Sequence, residues 1–211
     1  MEDGVAVTVR QPRAVVNVRD LPDVCFGPRD IMWWGTFGFA VIEGWAMVLC
    51  AVVFVYLQQN GAEWPPLGTP LPSLGLPTIE LALMLASIPF VLWCDRVLHQ
   101  YDLAKARIGF TIAGVLCFVL TGLHLAAMLL SLNVKWDTNA YGSAQWLVLT
   151  YFGTLVLVEA CEVSGLALAY WFAPVEDRHF PDGSDAIFYW KFMVASFAAN
   201  YVLCFWVPRW I

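Results

Sequence analysis

The sequence predicts an all-α, polytopic membrane protein: a bundle of five transmembrane helices over residues 31–211, preceded by a polar tail over residues 1–30. Two observations carry this. Of 211 residues, 60% are hydrophobic and 13% charged, where an average soluble domain has about 25% charged residues. Five stretches also approach or exceed the roughly 20 apolar residues that cross a hydrocarbon core, and they are apolar all round rather than along one stripe.

The tail, "MEDGVAVTVRQPRAVVNVRDLPDVCFGPRD", is mixed and polar. It lacks the apolar segment of a signal peptide, and its acidic residues do not suit a mitochondrial transit peptide. It reads as a cytoplasmic segment on the membrane surface. The first span is Ile31–Leu57, with Glu43 near its middle. Next comes the proline- and glycine-rich "QQNGAEWPPLGTPLPSLGLP", expected to form an ordered cap on one face of the membrane. The second span is Thr78–Trp93, extending to about Val97. The third is Ile108–Leu132, the fourth Gln145–Phe172 and the fifth Ala186–Val207, with short polar connections between them.

Basic residues orient the bundle. With five spans the termini lie on opposite sides. A cytoplasmic N-terminus places Arg10, Arg13, Arg19, Arg29, Arg96, Lys105, Arg107 and Arg178 inside, and only Lys135 and Arg209 outside. Lys191 lies in the fifth helix near its inner end, where its stem can snorkel to the surface. The C-terminus then lies on the outer side of the membrane.

Four polar groups at depth need an explanation: Glu43, His124, Glu159 and Glu162. An ionisable group in hydrocarbon costs about 2.5 kcal/mol or more and is rarely incidental. At helical offsets of three, four and seven, Glu43 neighbours Thr36, Phe39, Ala40, Ala46, Met47 and Cys50, four of them small. Small residues let another helix approach, so Glu43 is expected to face protein. His124 shares its face with Cys117, Thr121, Ala127 and Ser131. Glu159 and Glu162 are three apart, neighbours on one helix. Two readings stand for these groups. They are hydrogen-bonding glue between helices, or they form a proton path or ion site.

Other chemistries are disfavoured. A net charge of −6 without a basic run gives nucleic acid nothing to bind. The six cysteines form no C-x-x-C pair and mostly sit in apolar runs, which speaks against a disulfide framework or a zinc site. His99, His124 and His179 fall at different depths, so no axial pair for haem is available. Hydrolase and phosphate-cradling motifs are missing too.

Several landmarks then fall in order: "WWGTFGFAVIEG" with its intramembrane Glu43, the "EWPP" holding Trp64, Pro65 and Pro66, the "YGS" of Tyr141–Ser143, and the "YW" of Tyr189 and Trp190. In this combination the chain resembles subunit III of haem-copper oxidases, the cytochrome c oxidase subunit III family, from about residue 30 onward. The resemblance implies the short five-helix bacterial form, in a bacterial inner membrane with a cytoplasmic N-terminus and a periplasmic C-terminus. It implies a non-redox accessory subunit packed directly on the catalytic subunit I, with subunit II and small subunits nearby. Haems and copper belong to those partners, and this chain holds no cofactor beyond bound phospholipid. The subunit is expected to support stability and proton uptake, with Glu43 the carried-over residue and Trp64, Pro65 and Pro66 structural. Departures are clear. Phe152 and Leu155 stand where the family has histidines, Lys191 and Val194 replace its His and Asp, Asp95 and Arg96 replace paired histidines, and Glu159 and Glu162 match no landmark. They leave room for a nitric-oxide reductase subunit. A small proton-coupled transporter built on the four polar groups is the reading from another class.

Overall fold

Helices α1 (Ile31–Asn60), α2 (Gly75–His99), α3 (Leu103–Ser131), α4 (Ala140–Phe172) and α5 (Phe180–Tyr201) make up most of the described residues. The computed structural model describes residues 31–176 and 179–210. The tail over 1–30, with its arginines and Cys25, and Arg178 lie outside the described residues. α5 continues through a π-helical turn, Val202–Trp206, into α6 (Val207–Trp210), forming one span, Phe180–Trp210. All five spans are long and apolar enough to cross a membrane, and no strand occurs among the described residues.

Each helix runs past the apolar window that marks it in the sequence. α3 starts at Leu103, not Ile108, because Asp102 caps it, accepting the backbone N–H of Lys105 at 3.1 Å. α4 starts at Ala140, not Gln145, because the Asn139 side chain accepts the N–H of Gly142 at 2.8 Å. α5 starts at Phe180 with Pro181 in its first turn, where the N–H that proline lacks would have no helical acceptor. Hydropathy reads the hydrocarbon-crossing part of a helix, whereas its ends are decided by caps in the polar zone.

α4 and α5 occupy the middle. α3 packs on α4, α2 on α3 and α5, and α1 lies against α4 and α5. Large apolar side chains cover the outside, among them Ile42, Val115, Leu130 and Leu168, as expected where lipid replaces water. Polar groups are turned inward instead. Trp190 donates to the Ser87 hydroxyl at 2.9 Å, and Thr78 and Tyr201 share a hydroxyl bond at 2.7 Å, both joining α2 to α5.

The proline-rich connection is an ordered cap. The N–H of Ser73 donates to the Ser131 carbonyl at 2.7 Å, Asn133 donates to the Leu71 carbonyl at 3.0 Å, and Asn139 to the Thr69 hydroxyl at 3.0 Å. Arg209 bonds the Pro72 carbonyl. The cap is therefore tied to α3, α4 and the end of the chain. At the opposite end, Ser184 donates to Asp95 at 2.6 Å, while Arg107 donates to the Tyr170 carbonyl at 2.6 Å with its guanidinium over the Trp171 ring.

Candidate functional site

α1 is held by its one buried charge. Glu43 is 8% exposed, and the Tyr189 hydroxyl of α5 donates to its Oε2. Gly44 follows, and the Phe192 ring lies 3.3 Å from where a Cβ would sit there. The small residue thus lets α5 close over the carboxyl. Across from it, Glu159 of α4 is fully buried, and neither of its oxygens has a hydrogen-bond partner. Glu162, one turn along α4, is exposed. The three carboxyls interact electrostatically with one another, and all three with the Tyr189 hydroxyl. The structure thus places Glu159 and Glu162 within electrostatic reach of the Glu43–Tyr189 pair. Tyr189 is visible in the sequence as a landmark, but nothing there pairs it with Glu43.

His124 stands apart. Its Nε2 lies 2.9 Å from the Leu149 carbonyl, and Leu149 is ten residues from Glu159 on α4, about 15 Å along the axis. Its Nδ1 lies 2.8 Å from Oε1 of Glu80 on α2. A carbonyl only accepts, so Nε2 carries a proton. One further proton is then shared between Nδ1 and Glu80, and the pair is neutral as a whole. Gly153 makes room, since a Cβ there would meet the ring at 3.0 Å. Phe152, where the family likeness leads one to expect a histidine, packs edge-on against the ring instead, as does Phe197.

Glu80 escapes the sequence reading because it lies near the start of its span, where a carboxylate reads as interfacial. Its signal is the face it shares. Glu80, Met84, Ser87, Val91 and Cys94, all buried, follow the three-and-four spacing of one helix face. Gln145 is a second unread group, donating to the Tyr141 hydroxyl and the Cys204 carbonyl, each at 2.8 Å.

The outer-loop landmark is a packing device. Trp64 is buried, with its ring edge-on to Phe54 of α1 at 5.4 Å and to Tyr141 of α4 at 5.1 Å. Pro65, joined to it by a cis peptide bond, and Pro66 are half-buried beside it. The Y-G-S run explains itself in the same place. Tyr141 meets Trp64, Gly142 leaves space for the Lys135 carbonyl, and Ser143 donates to the Trp136 carbonyl at 2.6 Å.

Among the described residues, no group of three or more His, Cys, Asp or Glu is placed to hold a metal ion. The described cysteines are free thiols, with Cys94, Cys117 and Cys204 buried in the packing. What the Glu43 site can do is hold protons and hydrogen bonds where α1, α4 and α5 meet.

Fold and site together define a multi-pass membrane protein whose interior carries two separate acid-containing clusters. No family model matches the sequence. A curated relative, cytochrome c oxidase subunit 3 of Lycodon semicarinatus, is 24% identical over 164 residues, covering 77% of this chain and 62% of that protein. The chain thus spans less than two thirds of that relative's length, and the relative supports the family likeness that the landmarks carry.

Proposed function

We propose that the chain is a non-redox accessory subunit of a bacterial haem-copper terminal oxidase, of the subunit III type, in the inner membrane with its N-terminus inside. The carrying observation is spatial. The four landmarks of the resemblance, scattered over the sequence, fall into two contacts: Glu43 with Tyr189, and Trp64 with Tyr141. In this reading the subunit packs on the catalytic subunit I, with subunit II and phospholipid close by. It gives that partner a stable flank and supports its proton uptake through the carboxyls around Tyr189. The haems and copper, and the reduction of oxygen to water, belong to the partner.

The test is to tag the chain, solubilise native membranes gently, and record a reduced-minus-oxidised spectrum of what is recovered. Haem bands with oxygen turnover support the proposal. Haem with nitric-oxide turnover moves the subunit to the reductase. A haem-free homo-oligomer overturns both and favours the carrier.

A further inference from the structure

α1 ends beside an open cleft of about 610 Å³, whose lining includes Gln58, Gln59, Gly61, Glu63, Trp64 and Pro208. No basic side chain lines it. Its one acid, Glu63, is exposed, with no hydrogen-bond or ion-pair partner among the described residues. Arg209, next to Pro208, gives its guanidinium to the Phe205 and Pro72 carbonyls instead.

The backbone adds oxygen to the same place. Carbonyls in the last turn of a helix lack helical donors and carry roughly half a negative charge together. α1 has no basic residue in its last turn to offset this. The carbonyl oxygens of Leu57, Gln58 and Glu63 gather around Gly61, at 3.4, 3.6 and 3.4 Å from where a Cβ would stand. The first two belong to the helix end, and the bend that follows brings the third. Gln58 already accepts the Gly61 N–H at 3.3 Å, but a carbonyl has a second lone pair. Glycine leaves the space between these oxygens empty of side chain.

We propose that the Gly61 end of α1 binds a divalent cation of the calcium class. The Leu57, Gln58 and Glu63 carbonyls and the Glu63 carboxylate hold it, and the amide oxygens of Gln58 and Gln59 complete the shell with water. Calcium accepts six to eight oxygens at about 2.3–2.6 Å in irregular arrangements, whereas magnesium demands a near-ideal octahedron and keeps its water. The carbonyls close on the ion by about 1 Å to reach that range. A single carboxylate makes the site weak, with a Kd on the order of 10⁻⁴–10⁻³ M. The bound ion ties the last turn of α1 to the cap, next to the Phe54–Trp64 ring contact that already joins them. Nothing in this site depends on the oxidase reading.

The test titrates the full chain in detergent with calcium, magnesium or potassium chloride at matched ionic strength. Calcium is expected to raise the melting temperature more than either of the others, and to slow amide hydrogen exchange over residues 57–64. Glu63→Gln should weaken the calcium response at least tenfold. Gly61→Ala should do the same with the fold intact, since its Cβ meets neighbours at 3.4 Å or more while filling the space between the carbonyls. Asp137→Asn, which removes another exposed acid near the cap, should respond like wild type. No calcium response, or an equal one to potassium, overturns the proposal. So does a wild-type response in Glu63→Gln, or an equal loss in Asp137→Asn.

Discussion

His124 Nδ1 and Glu80 Oε1 meet at 2.8 Å between α3 and α2, and the Leu149 carbonyl of α4 takes the other ring nitrogen. Three helices are therefore joined through one imidazole. Replacing His124 by Leu leaves the 1%-exposed Glu80 without its partner in an apolar interior. Removing one member of such a pair costs about 3–5 kcal/mol. The single variant should melt well below wild type in detergent, and the double variant Glu80→Leu/His124→Leu should recover most of the loss. A single variant as stable as wild type contradicts this role.

Glu43 depends on the Tyr189 hydroxyl in a similar way. Tyr189→Phe removes only the donor and leaves the carboxyl buried, at about 1–3 kcal/mol. Glu43→Gln keeps an acceptor for Tyr189 and should cost less, whereas Glu43→Ala should weaken assembly or lifetime during turnover. Under the proposed function, haem absorbance per assembled complex should stay unchanged in all three. Equal stabilities for Tyr189→Phe and wild type would remove the hydrogen bond from the account.

Gly142 can be separated from an ordinary helix glycine. A Cβ there would overlap the Lys135 carbonyl and come 3.0 Å from Val134 Cγ2. The obstacle is backbone, so Gly142→Ala should destabilise by about 1–3 kcal/mol. Gly122 on α3 has nothing within 4 Å of its virtual Cβ, and Gly122→Ala should be neutral or stabilising by up to about 1 kcal/mol. Thermal melts of the two variants, side by side, give the comparison.

Asp102 supplies a pH test outside the membrane. The Lys105 side chain first, and its backbone N–H second, hold the carboxyl below its ordinary value of 3.8. A depressed carboxyl stabilises the fold above its unfolded pKa, and that contribution is lost as pH falls through the folded pKa. Protection of the Lys105 amide against hydrogen exchange should therefore be flat above pH 3.8 and decline below it. In Asp102→Asn the decline should vanish. A wild-type profile in that variant would place the titrating group elsewhere.

Much of the architecture was legible because a bilayer imposes a length on apolar runs. Five runs gave five helices, and the small residues beside Glu43 correctly turned it inward. The ends were less legible, since Asp102 and Asn139 act as caps through geometry that hydropathy does not read. Glu80 was hidden by its place near a helix end, and His124 showed its face without showing its partner.

Composition and period determine the number of helices, the apolar exterior and which polar groups lie at membrane depth, because these follow from local transfer energies. The partners of those groups follow from how helices distant in sequence cross. Glu43 and Tyr189 are 146 residues apart, and Glu80 and His124 44. Only the packing of α1 on α4 and α5, and of α2 on α3, decided that one acid would meet a tyrosine, another a histidine, and that Glu162 would face outward.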